Sequence, residues 1–160
     1  MFVVKDHIHV NAPLDRCFLL ATNLDLVRHT LRMNVSADES TRAAGMVAQG
    51  DRLVWRGKVF GWEHLHESLI TRYERPYFFQ DTMARGRFRR FQHDHTFTEI
   101  GGRTLLSDKV QFSMPMGWAG RMVGRYVVMP HVSRLLRLRL ELLKRLAESD
   151  GWRDYIATEG

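Results

Sequence analysis

The hydrophobic period of this chain changes once, near Pro115, and this change constrains the fold more than any other feature. Between about Val35 and Met114 the sequence alternates as strands do and is punctuated by glycines; the Gly101-Gly102 pair is typical of a tight hairpin turn. Beyond Gly117 the apolar residues recur every three, four or seven positions, as in an amphipathic helix. They are Met122, Tyr126, Met129, Leu136, Leu140 and Leu143. The pattern predicts an antiparallel meander followed by one long C-terminal helix.

Two short helices are expected between the first strand and the meander. Phe2 to Val10 alternates and predicts the first strand, while Pro13 to Ala21 predicts a helix with proline in its first turn. Asn23 is a suitable cap for the second helix. The economical way to bury both apolar faces is to lay the long helix across a curved sheet. We therefore expect an α+β fold with an internal cavity between sheet and helix.

Two positions are expected to distort regular elements. The segment from Val59 to Arg75 is long for a strand and carries Gly61, which predicts a bulge or bend. Pro130 falls inside the C-terminal helical pattern, where its missing N–H predicts a kink or a new helix start.

The 160 residues, of which 44% are hydrophobic, suffice for one domain with its own core. We expect this domain over residues 1–150, followed by a frayed tail over 151–160. Cys17 is the only cysteine and the first residues lack a long apolar signal segment, so a reduced, cytoplasmic protein is expected. No apolar run approaches membrane-spanning length.

The formal net charge of +6 favours anionic partners, including a membrane surface. The densest basic cluster, Arg85 to Phe91, interleaves arginine with phenylalanine, as single-strand nucleic-acid surfaces do. A solvated outer strand face explains the same arginines more simply, so nucleic acid is not an expected partner. The oligomeric state is left open.

The run from Phe91 to Phe97 carries the main candidate site. Strict alternation places Phe91, His93, His95 and Phe97 on one face of a strand. Three interpretations are open: metal ligands, groups that orient a ligand or act as acid and base in a pocket, and core histidines satisfied by neighbours.

Two acids belong to the same site. Asp108 shares a face with Leu106, Val110 and Phe112 on the strand that the Gly101-Gly102 hairpin pairs with the histidine strand. A lone acid on an apolar face needs a partner, and an imidazole across the hairpin would provide one. Asp81, with Phe79 and Met83, is a second inward carboxylate. Either acid can instead pair with an arginine such as Arg139 of the long helix.

A metal would need a third ligand beside the two histidines. Asp108, Asp81, His64 and His66 are each eligible, but no closed ligand set is visible in the sequence. We therefore expect neither a metal nor another cofactor. The remaining predicted cavity lining is apolar, although each of these residues is equally suited to a core. It comprises Trp55, Phe79, Met83, Phe91, Phe97, Leu106, Phe112, Met122, Tyr126 and Met129.

Nearly the whole chain resembles the SRPBCC or START-like helix-grip superfamily, which includes lipid carriers, the Bet v 1 allergen group and bacterial polyketide cyclase/dehydrase-like proteins. The resemblance rests on Ala12-Pro13, Phe18, Gly50-Asp51, Trp55-Arg56-Gly57, Phe60-Gly61, Ile70-Thr71, Arg75-Pro76, Phe79, Asp81, Phe88, Phe91, His93, His95, Phe97, Gly101-Gly102, Thr104, Leu106, Asp108, Phe112, Pro115, Leu135-Leu136, Arg139 and Leu143-Lys144. It implies a cavity under the long helix. Because this scaffold hosts carriers, cyclases and hydrolases alike, the resemblance implies no catalytic residue.

Three functions follow as hypotheses. The first is binding of a hydrophobic small molecule, such as a lipid, isoprenoid or polycyclic compound, with His93, His95, Asp81 and Asp108 orienting its polar end. The second is a cyclase or dehydratase that uses His93 or His95 as acid and base, with Asp108 fixing the tautomer. The third is an interaction module for a membrane surface or a protein. The chain lacks a nucleophile motif, a phosphate loop and a dinucleotide fingerprint.

Overall fold

One antiparallel sheet of seven strands carries most of the fold. The computed structural model describes residues 1–156. The strands lie in the order β1-β7-β6-β5-β4-β3-β2. Their bounds are β1 Phe2–Val10, β2 Asn34–Val35, β3 Arg52–Val59, β4 Trp62–Glu74, β5 Phe78–Arg85, β6 Arg90–Ile100 and β7 Arg103–Ser113.

Two helices lie between β1 and β2, and the others follow β7. They are α1 Leu14–Thr22, α2 Leu24–Leu31, α3 Gly117–Val123 and α4 Met129–Ala147, with a π-helical turn at Gly124–Val128 and a 3-10 turn at Asp150–Asp154. Helix α4 packs its buried leucines against the inner face of the sheet. The predicted α+β architecture, with two short helices after the first strand and a long C-terminal helix, is confirmed.

Asn23 caps α2 as predicted. Its side-chain oxygen accepts hydrogen bonds from the backbone N–H groups of Asp25 at 3.0 Å and Leu26 at 3.3 Å. Such a cap stabilises a helix by about 1 kcal/mol. The cap also fixes the sharp junction between α1 and α2.

The bulge expected in the segment from Val59 to Arg75 is confirmed in β4, but Gly61 itself belongs to a hairpin turn. Phe60 and Gly61, with φ of 53° and 78°, form a two-residue connection between β3 and β4. Two positive φ values match the right-handed twist of the paired strands. The register of β4 shifts further along, at Glu67/Ser68 and Ile70/Arg72. The Gly101-Gly102 turn has φ of 57° and 77° and joins β6 to β7, as predicted.

Pro130 lies in the first turn of α4, directly after the π-helical turn. The N–H of Met129 reaches the carbonyl of Gly124, five residues back. Right-handed helical dihedrals at Val123, Gly124, Val128 and Met129 carry the helix through the π-helical turn into α4. The expected new helix start at Pro130 is therefore not found, and the widened turn accommodates the proline within a continuing helix.

The main core lies between α1, α4 and the inner faces of β5, β6 and β7. It is built around Phe18, whose ring meets Phe79 and Phe97 edge to face at 5.7 and 5.2 Å. Part of the expected tail joins this core, which corrects the prediction that residues 151–160 fray. Trp152 and Ile156 pack against it, and the Arg16 guanidinium lies 4.3 Å above the Trp152 ring. The last part of that predicted tail, 157–160, lies outside the described residues.

Candidate functional site

The register of three strands brings the candidate polar residues together on the inner face. His95 lies opposite Asp108 of β7 and Phe79 of β5, whereas His93 lies opposite Asp81. The predicted pairing of an imidazole with Asp108 across the hairpin is confirmed. We call Asp81, His93, His95, Asp108 and Arg139 the inner cluster.

His95 is held between two carboxylates. Its Nδ1 is 3.1 Å from Asp108 Oδ1 and its Nε2 is 3.2 Å from Asp81 Oδ2. The Phe79 ring stacks on the imidazole with centroids 4.0 Å apart. A neutral imidazole has a single N–H, so it can donate only one of these two bonds. His95 therefore donates both only as an imidazolium.

Asp108 is the most deeply buried acid of the inner cluster. The Arg139 Nη1 group donates a hydrogen bond to its Oδ2 at 2.6 Å, so the expected alternative partner from the long helix is present. Burial alone would raise the pKa of Asp108, but the Arg139 guanidinium and the two imidazoles hold it well below its usual value. Asp108 is therefore a charged carboxylate, bound by Arg139 of α4 and by His95 of β6.

His93 is the least satisfied member of the inner cluster. Its Nε2 is buried and has no hydrogen-bond partner among residues 1–156; it lies 3.7 Å from Asp108 Oδ2, while its Nδ1 lies 4.0 Å from Asp81 Oδ2. Burial lowers the pKa of His93, and the neighbouring His95 lowers it further. His93 is therefore a neutral imidazole with unused hydrogen-bonding capacity.

The inner cluster has one open end. The side chains of Asp81 and His93 are 20% and 12% exposed, whereas those of His95 and Asp108 are buried. Burial would raise the pKa of Asp81, but the hydrogen bond from His95 and the charges of nearby imidazoles keep it below its usual value. A ligand at this open end would therefore meet the charged carboxylate of Asp81 and the neutral imidazole of His93. Asp81, His93 and His95 also place three potential metal-ligand atoms within 4.8 Å of one another.

A concave region of about 700 Å³ is formed where β3 ends, β4 begins and β5 ends. Its lining is Arg56, Gly57, Lys58, Glu63, His64, Leu65, Arg85, Gly86 and Arg87. Gly86 lies beside His66 and Met83, because a Cβ there would lie 3.3 Å from the His66 ring and 2.5 Å from Met83 Sδ. Burial lowers the pKa of His66, and the nearby Asp81 charge opposes this effect. His66 therefore stands next to the lining of the concave region and within electrostatic reach of Asp81.

The residues predicted to form one apolar cavity lining belong instead to three separate hydrophobic clusters and to the surface. Phe79, Phe97 and Leu106 fill the main core, where side chains occupy the space under α4. Trp55 belongs to a second cluster with Leu24 and Ile70, and Phe112 to a third, against which Met129 packs. Met83 and Phe91 are half-buried beside His66.

Met122 and Tyr126 correct the predicted lining, because they are 52% and 65% exposed. Gly120 and Gly124 are the buried residues of this helical stretch, and a Cβ at Gly124 would lie 2.5 Å from the Phe2 ring. The glycines bring the backbone against the sheet, so side chains two positions further on project outward.

The sequence patterns do not predict the concave region. They assign the arginines of 85–91 to a solvated strand face and indicate His64 and His66 only as metal ligands. The alternation of His64, His66, Ser68 and Ile70 along β4 was the available signal, since it places both histidines on the side of the buried Ile70.

Comparisons with known proteins agree on the fold. No family model matches the chain, and no curated protein matches it either. Among solved structures, TTHA0849 from Thermus thermophilus has a TM-score of 0.67 at 19% identity and covers 92% of this chain and 100% of its own. A START superfamily protein from Mycobacterium smegmatis has a TM-score of 0.60 at 15% identity, covering 88% and 98%.

The di-domain ARO/CYC protein BexL, from the BE-7585A biosynthetic pathway, has a TM-score of 0.72 at 18% identity over 92% of this chain. The match covers 50% of BexL, so this chain spans about half of that protein. At these identities the likeness concerns the fold alone. The chain has the SRPBCC helix-grip fold that START-like and ARO/CYC proteins share.

Proposed function

We propose that this protein binds a small molecule with an apolar body and a polar or anionic end, beside the open end of the inner cluster. The observation that carries the proposal is the partial exposure of Asp81 and His93, 20% and 12%, at the open end of the inner cluster. His66, which interacts electrostatically with Asp81, lies beside Gly86 of the concave region. A ligand group at this end can hydrogen-bond to the Asp81 carboxylate and to the exposed side of the His93 ring.

The charges around the concave region favour an anionic end. Four cations, Arg56, Lys58, Arg85 and Arg87, line it together with one acid, Glu63. Arg56 and Arg85 are partly neutralised by Glu39 and Glu67, at 2.7 and 3.4 Å. Further inward the groups are imidazoles with lowered pKa values, which donate and accept hydrogen bonds without net charge. These surroundings change from cationic to uncharged in the inward direction. They suit a ligand whose carboxylate or phenolate lies among the cations and whose apolar part points toward Met83 and Phe91.

Gentle organic extraction of purified protein, followed by mass spectrometry, tests the proposal. We expect a defined hydrophobic compound in stoichiometric amount, and reduced retention in His93→Ala. The matched control is His9→Ala, since His9 is exposed on β1. Release of only heterogeneous contaminants, or equal retention in both variants, would contradict the proposal.

A cyclase or dehydratase activity is a second use of the same site. His95 between two carboxylates, with Asp108 fixed by Arg139, is an arrangement that orients a general acid or base. Under this hypothesis His95→Gln lowers turnover of a poly-β-ketone substrate about a hundredfold while its binding is retained. Unchanged turnover in folded His95→Gln would exclude it.

A third candidate function is docking on an anionic membrane surface. Trp118, Met122 and Tyr126, four residues apart, are exposed, the first by 74%. Arg121 and Arg125 lie beside them, and 109–140 contains no acidic residue. An exposed aromatic face with arginines is suited to an interface of apolar tails and anionic headgroups. Within residues 1–156, no helix is both long and apolar enough to cross a membrane.

Vesicle co-sedimentation tests the docking surface. The protein should bind vesicles that contain phosphatidylglycerol and not neutral ones, and the binding should weaken with salt. Tyr126→Ser should reduce it, whereas Tyr77→Ser, a similarly exposed tyrosine on the β4–β5 turn, should not. Equal binding by the two variants would exclude this surface.

A further inference from the structure

The inner cluster contains an arrangement that a hydrogen-bonded core pair does not need. Both histidines present one ring nitrogen to Asp81 and the other to Asp108. His95 places Nε2 at 3.2 Å from Asp81 and Nδ1 at 3.1 Å from Asp108; His93 places Nδ1 at 4.0 Å from Asp81 and Nε2 at 3.7 Å from Asp108. Both imidazoles thus lie between the same two carboxylates, with Asp81 on the exposed side and Asp108 on the buried side.

Two neutral imidazoles carry two N–H groups, whereas four ring nitrogens of the cluster face carboxylate oxygens. If both N–H groups point toward Asp108, the lone pairs of His93 Nδ1 and His95 Nε2 both face the Asp81 carboxylate. Three electron-rich atoms that converge in a buried place repel one another. Either a proton on His95, which makes the imidazolium described above, or a metal ion among the three atoms removes the repulsion.

The distances suit a transition metal. Zinc binds imidazole nitrogen at about 2.0–2.1 Å and carboxylate oxygen at about 2.0–2.2 Å, so two ligands of one ion lie about 3 to 4 Å apart. The separations of Asp81 Oδ2 from His95 Nε2 and from His93 Nδ1, 3.2 and 4.0 Å, fall in this range. Two imidazoles and one carboxylate form a set that suits Zn²⁺, Fe²⁺ or Co²⁺ better than Mg²⁺ or Ca²⁺.

The second layer is the one that metal-binding histidines require. Such histidines donate their other N–H to a carboxylate, which fixes the tautomer and raises the basicity of the ligand. Asp108 lies behind both rings: it is hydrogen-bonded to His95 Nδ1 at 3.1 Å and lies 3.7 Å from His93 Nε2, a gap that His93 must close on binding an ion. Arg139 balances the charge of Asp108 at 2.6 Å. The negative charge of Asp81 is then left for the ion. The partial exposure of Asp81 and His93 leaves room for open coordination positions on the exposed side of these two ligands.

We propose that Asp81, His93 and His95 bind one divalent transition-metal ion, with Asp108 positioning both histidines. The ion keeps open positions, which take water or an oxygen of a small molecule. The inference goes beyond small-molecule binding and does not depend on it, because the metal is tested on protein freed of organic ligand.

Cobalt titration of the untagged, chelator-treated full chain tests the proposal. We expect one equivalent of Co²⁺ to bind with visible d–d absorption bands, Zn²⁺ to displace it, and Zn²⁺ to raise the Tm. Asp81→Asn and His93→Gln each remove a proposed ligand and should weaken Co²⁺ binding about a hundredfold or more. Asp108→Asn removes a residue that only positions the ligands, so it should weaken binding about 10–100-fold, as is typical of such partners.

The matched control is Asp94→Asn. Asp94 stands between the two histidines in sequence but bonds to Gln80 and Gln92 instead of joining the inner cluster. It should bind Co²⁺ as the wild type does. Absence of stoichiometric Co²⁺ and Zn²⁺ binding by the folded wild type would overturn the proposal, and so would full binding by folded His93→Gln. The wild-type titration decides even if a variant fails to fold.

Discussion

Arg139 of α4 and Asp108 of β7 form an ion pair of 2.6 Å that ties the long helix to the sheet directly behind the two histidines. Both side chains are buried, and the Arg139 Nη2 group also reaches the carbonyl oxygen of Ala21 at 3.5 Å. The pair therefore fixes α4, α1 and β7 relative to one another. It also determines which oxygen of Asp108 remains for His95.

Replacing Arg139 by leucine should lower the free energy of unfolding by about 3 to 5 kcal/mol, because it leaves the Asp108 charge buried without its main partner. Urea denaturation measures the loss. The double variant Arg139→Leu/Asp108→Leu should be less destabilised than the sum of the single changes, since it removes both charges. Additive effects would show that the pair does not couple the two elements. Arg137→Leu is the control, as Arg137 pairs with Asp6 at the surface and should cost about 1 kcal/mol or less.

Cys17 should react slowly with thiol reagents in the native protein. Burial raises the pKa of its thiol to about 11, so the reactive thiolate is scarce at neutral pH. Ellman's reagent should give one equivalent of thiol within minutes in guanidinium chloride and far less in buffer. Labelling at equal rates under both conditions would contradict the buried position on α1.

Asp51 should make the protein sensitive to acid. Burial works to raise the pKa of Asp51, but the Arg42 guanidinium at 2.7 Å and the backbone N–H of Ala48 at 2.8 Å outweigh it, and the net pKa is lowered. The stabilisation is therefore fully present above the ordinary aspartate pKa of about 3.9, and is lost as the pH falls through the lower folded pKa.

Asp51→Asn tests this dependence. The wild type should lose more stability than the variant between pH 5 and the acid range, and the two should approach each other there. Denaturant midpoints at a series of pH values provide the measurement. A constant difference at all pH values would mean that the charge of Asp51 does not contribute.

Gly124→Ala should destabilise the protein by about 1 to 3 kcal/mol, as overpacking does in a close-packed core. A Cβ at this position would lie 2.5 Å from the Phe2 ring and 2.9 Å from Met114 Cγ. The Tm of the variant measures the effect. Val127→Ala, at an exposed position of the same π-helical turn, should change stability by about 0.5 kcal/mol or less. Equal effects would contradict the close approach of this turn to β1.

Local patterns accounted for most elements of the fold. The Asn23 cap and the Gly101-Gly102 turn were predictable because each depends on a few consecutive residues. The bulge predicted between Val59 and Arg75 lies at Glu67/Ser68 and Ile70/Arg72. The hairpin turn at Phe60-Gly61 was not predictable, since a phenylalanine with positive φ carries no turn signal of its own. The exposure of Tyr126 was not predictable from local pattern. It follows from the packing of Gly120 against Met114 and of Gly124 against Phe2 and Met114, which are contacts outside the helix itself.

The sequence by itself determined which side chains share a face, because alternation in a strand is a local property of the backbone. That places His93 with His95, and Asp108 with Leu106 and Phe112, before any fold is known. Only the tertiary structure decided that Asp81 stands in front of both imidazoles and that Arg139 stands behind Asp108. Those distances depend on strand register and on the depth at which α4 packs, which arise from contacts among residues far apart in the chain.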